Sequence, residues 1–225
     1  LADEMEPYLH ASGITVVRND PNGSAAQSIR DSNALGPDFH LALHSNAGPQ
    51  ALAGQLRGVD LYYYPTSEAG LRMANILVDN LKTVYPDPDR VQARATTVIG
   101  EVRRTRAPAV LAEIGYHDNV DDANWLTGNL DAIARVMAEG VTEYFGVPFL
   151  TPGAEFDASV QSPDGYANLR SYPTSDAAIL ATLPNGTAVT VLGDFDTWYT
   201  VRAGDRYGFL RVADVQLAVM PLTDG

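Results

Sequence analysis

The chain has 225 residues, 45% of them hydrophobic, no cysteine and a net charge of −13. That length suits one large domain, or a domain plus a small module. The negative charge is spread over both parts, −8 in residues 1–150 and −5 in residues 151–225, so binding to a phosphate backbone is excluded as a main function. The missing cysteines exclude disulfides, thiolate metal sites and a cysteine nucleophile, and no apolar run approaches the roughly 20 residues of a membrane-spanning helix.

In chain order, residues 1–12 carry Leu1, Met5, Tyr8 and Leu9 at helical spacing, with Gly13 as a stop. The chain thus opens inside a helix, and a βα repeat predicts a strand before it. Ile14 to Val17 is β-branched and predicts a short strand, followed by an Asn-Asp-Pro-Asn-Gly turn at 19–23. Ser24 to Leu35 predicts a helix ended by Gly36-Pro37. Residues 39–44 predict a strand, 45–58 a loop, and 59–64 a second strand. A helix capped by Thr66 or Ser67 follows. Residues 96–106 are expected to be part extended and part turn, and Ala109 to Tyr116 predicts a buried strand. A final helix over 121–145 is expected to break near Gly128. Strands alternating with helices predict an α/β fold, a mostly parallel sheet with helices on both faces.

Two of these strands are apolar runs interrupted by one ionisable side chain near the carboxyl end, His44 in the first and Glu113 in the last. Ligands of such sheets bind beyond the carboxyl ends of the strands. One imidazole and one carboxylate there suit a metal ligand and a general base. Read separately, each is equally a core histidine or a paired glutamate. The other polar candidates nearby are Asn46, Arg103, His117 and Asn119. No glycine-rich phosphate loop and no Gly-x-Ser-x-Gly elbow is present, which leaves metal-assisted hydrolysis. His40 falls on the same side of its strand as His44 but further back, a core position. His117 is a weaker candidate for a second ligand.

The texture changes after Pro148. Residues 148–157 read as a linker, and residues 158–225 hold six short strand-like runs separated by Pro-Asp-Gly, Pro-Asn-Gly, Gly-Asp and Gly-Asp turns. Such spacing predicts a small all-β barrel.

Residues 43–47, Leu-His-Ser-Asn-Ala, preceded by Asp38-Phe39, resemble the DLFISIHANA segment of zinc-dependent N-acetylmuramoyl-L-alanine amidases of the third amidase type. Residues 108–116 with Asn119 resemble that family's PAVLVEIGFISN segment, Arg30 to Asn33 its R…AN helix, and Gly13 to Arg18 its G..V..TR strand. The likeness spans nearly all of residues 1–146 and implies an amidase/phosphorylase-like fold for a catalytic domain of residues 1–147. Residues 168–173, 183–191 and 198–201 resemble NVRSGPS, LKKGTKVTV and WYKV segments of bacterial SH3-like domains. The resemblance implies a zinc cofactor and hydrolysis of the amide between N-acetylmuramic acid and L-alanine in peptidoglycan. It implies wall targeting by the second module and a secreted, wall-associated setting. By the same resemblance His44 is a zinc ligand, Glu113 the catalytic carboxylate, and Asn46, Arg103 and Asn119 polar residues beside the substrate. The family's other ligands, a histidine in a DPGHGG strand end and a glutamate in the next helix, would precede Leu1. Two alternatives stay open: an inactive peptidoglycan-binding protein with an amidase-like domain, and a zinc exopeptidase of related α/β design. Trp198 and Tyr199 are either wall-contacting or barrel core.

Overall fold

The computed structural model describes residues 1–218. The chain divides into two compact units, one of residues 1–5 and 17–144, the other of residues 6–16 and 145 onward. Residues 219–225 of the expected second module lie outside the described residues.

The first unit is built on a four-stranded sheet. Its strands are β1 (His40–Asn46), β2 (Val59–Tyr63), β3 (Val91–Ala95) and β4 (Ala109–Tyr116), in the order β1-β4-β2-β3. The β1–β4 and β2–β3 pairs are parallel and β2–β4 is antiparallel. The sheet is therefore mostly parallel, and β4, flanked on both edges, is the most buried strand. Strand β3 was not anticipated from the sequence. Its Gln and Arg residues suit an edge, where one side of the ladder faces away from the sheet.

Alternation divides the side chains between two faces. Val59 and Leu61 of β2 and Val110, Ala112 and Ile114 of β4 are all buried, as are Met73, Ala74, Leu77 and Leu81 of α3 (Glu68–Leu81) and Ile133, Ala134, Met137 and Ala138 of α6 (Leu130–Phe145). Gly140 lets α6 approach α3 closely, since a Cβ there would stand 2.9 Å from Leu77 Cδ2. Each fully buried Leu or Met contributes about 1.5–3 kcal/mol relative to exposure, so α3 is held chiefly by its apolar stripe. Ser67 caps it by accepting from the Gly70 N–H. On the opposite face Ala42, Ala109 and Leu111 form a smaller cluster with Val102, Ile99 and Tyr62. Helices α2 (Ala25–Leu35) and α4 (Gly100–Arg104) lie on this side. Residues 100–104 are thus helical, where extended and turn structure was expected: Val102 is buried against the sheet while Arg103 and Arg104 remain outside. The last helical stretch divides into α5 (Val120–Gly128) and α6 on either side of Asn129, close to the expected break.

Helix α1 (Ala2–Ala11) is present and accommodates Pro7 in its interior. The expected strand over 14–17 is absent; these residues have no regular secondary structure. Their groups are used within the second unit instead, where the Tyr207 N–H donates to Thr15 Oγ1 at 3.2 Å. The rest of that unit is an antiparallel seven-stranded sheet, order β11-β5-β8-β9-β10-β6-β7. Its strands are β5 (Phe156–Val160), β6 (Tyr166–Arg170), β7 (Ile179–Pro184), β8 (Ala188–Phe195), β9 (Trp198–Ala203), β10 (Arg206–Arg211) and β11 (Val215–Leu217). Residues from β5, β6, β8, β9 and β10 bury into one cluster around Val160, Leu169, Val191, Val201 and Leu210, which requires the sheet to wrap about its core. Trp198 is buried and Tyr199, partly buried, packs on the cluster, so both contribute to the core. No helix among the described residues is long and apolar enough to cross a membrane.

Candidate active site

Register assembles the site. His44 on β1 is the parallel partner of Glu113 on β4, and Glu113 is in turn opposite Asp60 on β2. The three side chains form a polar row across one face of the sheet. Behind the row are the apolar residues Ala42, Leu111 and Tyr62; in front the strands end and loops begin. Chain alternation alone puts His40 and His44 on this face too.

The side chain that the sequence did not single out is Glu101. It belongs to α4, is only 6% exposed, and its two carboxylate oxygens each face an imidazole. Oε2 lies 3.4 Å from His44 Nε2, and Oε1 lies 3.5 Å from His40 Nε2. Both are ion-pair distances, and His40 Nε2 is buried without a hydrogen bond. The two imidazoles, His40 foremost, hold the Glu101 carboxyl down at about 2 against desolvation, which opposes them. Reciprocally, Glu101 raises the pKa of His44, with burial opposing and Glu113 assisting. The signal in the sequence was slight: one acid beside a buried valine in a segment otherwise rich in arginine.

Glu113 is in a different setting. Burial raises its pKa above the ordinary carboxylate range, and the neighbouring Asp60 adds to this while His44 works against it. Its Oε2 is buried and accepts no hydrogen bond. An acceptor kept dry and unpartnered is poised to take a proton. Asp60, a carboxylate inside an apolar strand, accepts from Arg94 Nε at 2.5 Å.

The loops beyond the strand ends are laced together. The His117 N–H donates to the Asn46 carbonyl, and His117 Nδ1 lies 3.1 Å from Ser45 Oγ and 3.2 Å from Ser45 O. Asp118 accepts from the N–H groups of Gly48 and Gly54. Asn46 sits at the end of β1 with its Oδ1 accepting from the Ala47 N–H. Arg103 is exposed on α4, two residues from Glu101. Asn119 is 8% exposed and has both ends of its amide engaged by the fold: Oδ1 caps α5 through the Asp121 and Asp122 N–H groups, and Nδ2 donates to Gly54 O. The structure thus brings His44 and Glu113 together, sets Asn46 and Arg103 at the margin, and gives Asn119 the work of a helix cap.

A family model described as N-acetylmuramoyl-L-alanine amidase matches residues 1–143, and one described as bacterial SH3 domain matches residues 165–216. The chain belongs to the N-acetylmuramoyl-L-alanine amidase family. It is 28% identical over 146 residues to N-acetylmuramoyl-L-alanine amidase CwlM of Bacillus licheniformis, a match covering 64% of this chain and 54% of that protein. The matched part therefore spans about half of that relative. Among solved structures, an N-acetylmuramoyl-L-alanine amidase from Clostridium difficile 630 superposes with a TM-score of 0.57 at 18% identity, over 64% of this chain and 79% of the other. The catalytic domain of CwlV from Bacillus (Paenibacillus) polymyxa var. colistinus gives 0.54 at 21%, over 65% and 82%. At these identities the structural likeness establishes the fold.

Members of this family are generally zinc-dependent. His44, whose side chain is 45% exposed at the end of β1, is the imidazole that would hold such an ion. His44 Nε2 and Glu101 Oε2 are 3.4 Å apart as an ion pair, and the Glu101 carboxylate is faced by His40, His44 and Ser28. Among the described residues no group of three His, Cys, Asp or Glu side chains could hold a metal ion.

Proposed function

We propose that this protein hydrolyses the amide between N-acetylmuramic acid and L-alanine in peptidoglycan. In this reading residues 1–147 form the catalytic domain, 148–157 a linker, and 158–225 an SH3-like module that holds the wall, and the protein works outside the cell or in its wall. The observation that carries the reading is the register pairing of His44 with Glu113, one imidazole that suits a metal and one dry carboxylate beside it.

His44 would hold the zinc ion, which when bound would supply Lewis-acid polarisation of the scissile carbonyl and a more acidic water. Glu113 takes the proton of the attacking water at its unpartnered Oε2 and delivers it to the leaving amine of L-alanine. Its raised pKa matches it to that exchange, because a carboxylate of ordinary basicity would hold the proton too weakly near neutral pH. Asn46 and Arg103 contact the substrate from the rim. Asn119 keeps the Gly54 loop in place beside them.

Purified sacculi incubated with the zinc-loaded protein test this. Expected is release of peptides that begin with a free L-alanine amine. Glu113→Gln lowers that release by about 100-fold or more with zinc content unchanged. Full cleavage by Glu113→Gln overturns the assignment of the base. Tight sacculus binding with no released peptide, at stoichiometric zinc, establishes instead an inactive wall-binding protein.

A further inference from the structure

Resting on the amidase reading, we propose that Arg94 determines specificity on the peptide side of the cleft: its two terminal nitrogens bind a free carboxylate on the second residue of the stem peptide, the one after L-alanine. No residue that the family resemblance carries over lies on β3.

Three observations lead there. The first is direction. In the proposed reaction the scissile carbonyl lies on the His44 side and the leaving amine takes its proton from Glu113, so the peptide runs on past Glu113, away from His44. The polar row continues that way, from Glu113 on β4 to Asp60 on β2 and then to Arg94 on β3, whose Nε donates to Asp60 Oδ1 at 2.5 Å. Register and alternation put Gln92 and Arg94 on this same face. The floor is open there: α4 packs on β4, whereas Gln92 and Arg94 are exposed. The row otherwise offers acids, Asp60, Glu101 and Glu113, in a chain of net charge −13, so an anionic peptide needs a cation to enter. The second is an unfinished ion pair. A guanidinium placed only to neutralise a carboxylate commonly closes on it as a two-bonded fork. Here Nε alone bonds Asp60, and the other Asp60 oxygen accepts from the Tyr62 hydroxyl at 3.4 Å. Nη1 and Nη2 have no hydrogen-bond partner among the described residues, and half of the side chain is exposed. Asp60 thus fixes the guanidinium from behind and leaves free N–H groups of a shape matched to a second carboxylate. The third is reach. Adjacent strands are about 4.8 Å apart, so Asp60 lies one spacing from Glu113 and the guanidinium just past it. An extended residue spans about 3.5 Å, so with the L-alanine amine at Glu113 the carboxyl of the next residue arrives at Arg94. Tyr116 shares this recess: its hydroxyl, raised in pKa chiefly by burial, also feels Asp60, Arg94 and Glu113.

Two soluble muramoyl tripeptides test the assignment. They differ only at the second residue, which carries a free carboxyl in one and a carboxamide in the other, and every other acid of the peptide is blocked as an amide. The zinc-loaded native protein is expected to cleave the acid with a kcat/KM about 10-fold higher than the carboxamide. Asp60→Asn combined with Arg94→Gln removes the cation without stranding the buried acid, and the ratio between the two substrates should fall to about 1. A ratio taken within one protein cancels any change in Glu113 or in the folded fraction. Arg94→Lys keeps a cation for Asp60 but lacks the planar fork, and should give a ratio between the two. A native protein that cleaves both substrates equally, or prefers the carboxamide, overturns the proposal and leaves the amidase reading standing, as does a native ratio in the folded double variant. A native protein that cleaves neither substrate overturns both. Should the double variant fail to fold or to turn over, Arg94→Lys decides: a ratio equal to the native one overturns the proposal.

Discussion

Asp60 and Glu113 face each other across the antiparallel β2–β4 pair, and the Arg94 guanidinium on β3 takes up the Asp60 charge. Two carboxylates side by side on a buried face would repel, so the arginine is what permits both. The pair is asymmetric: Asp60 is buried, while half of the Arg94 side chain is exposed. Removing Arg94 strands a buried anion, whereas removing Asp60 strands a cation that can reach water. Arg94→Met is therefore expected to lower stability by about 3 kcal/mol or more and Asp60→Asn by about 1 kcal/mol. Urea unfolding of both variants checks the order, and the reverse order would contradict the charge assignment.

Asp122 is the structural centre of the loops beneath the site. It is 1% exposed and accepts from the Gly58 and Tyr116 N–H groups and from Tyr85 Oη, the last at 2.6 Å. Its contacts also push the Tyr85 hydroxyl well above its ordinary pKa, burial being the larger cause. Asp122→Ala leaves three buried donors unpaired and should cost at least about 3 kcal/mol. Tyr85→Phe removes one of them and should cost about 1–3 kcal/mol. Thermal melts of the two variants read the difference directly.

Asp118 links stability of the site loops to pH. The Gly54 N–H, and after it the Gly48 N–H, hold its carboxyl below the ordinary value of 3.8, against desolvation. A depressed folded pKa means that the contribution is complete above the unfolded value and is lost as pH falls through the folded one. Amide exchange of Gly48 and Gly54 should therefore accelerate as the pH drops below about 3.8. Asp118→Asn should show fast exchange at every pH. An exchange rate of the native protein that follows only the chemical rate through that range would argue against the clamp.

In the second unit Gly13 has φ +80°, and a Cβ there would stand 2.6 Å from Cε2 of Phe209, which is fully buried. Gly13→Ala is expected to cost at least about 2 kcal/mol, from left-handed strain together with displacement of a core ring. A calorimetric scan that left the melting of the β unit unchanged would show that residues 6–16 do not contribute to it.

The apolar frame of this protein was legible because buried strands and amphipathic helices write their own periods. The runs of β1, β2 and β4 and the stripe of α3 follow the pattern, and His44 and Glu113 stood out as the polar interruptions of two such runs. Glu101 did not, because it reaches the site from a five-residue helix too short to show a period. Its importance comes from where Val102 anchors that helix on the sheet, a tertiary fact. The failed strand at 14–17 has the opposite cause. Ile14, Thr15, Val16 and Val17 have strand propensity, but propensity yields to the partners available. Asn119 was recognised as part of a motif, yet its position at a helix start, followed by two acids, is equally a capping signature.

The assignment of residues 6–16 to the same unit as residues 145 onward makes that unit discontinuous in the chain. No single peptide-bond cleavage can then excise it whole. A protease acting between α6 and β5 would leave the β strands without the segment that carries Gly13 and Thr15. During synthesis the unit cannot be completed until its last strands have emerged, long after residues 6–16 were made. The amidase sheet, whose strands lie between, has every opportunity to form first, and the early segment waits in an unfinished state that chaperones would recognise.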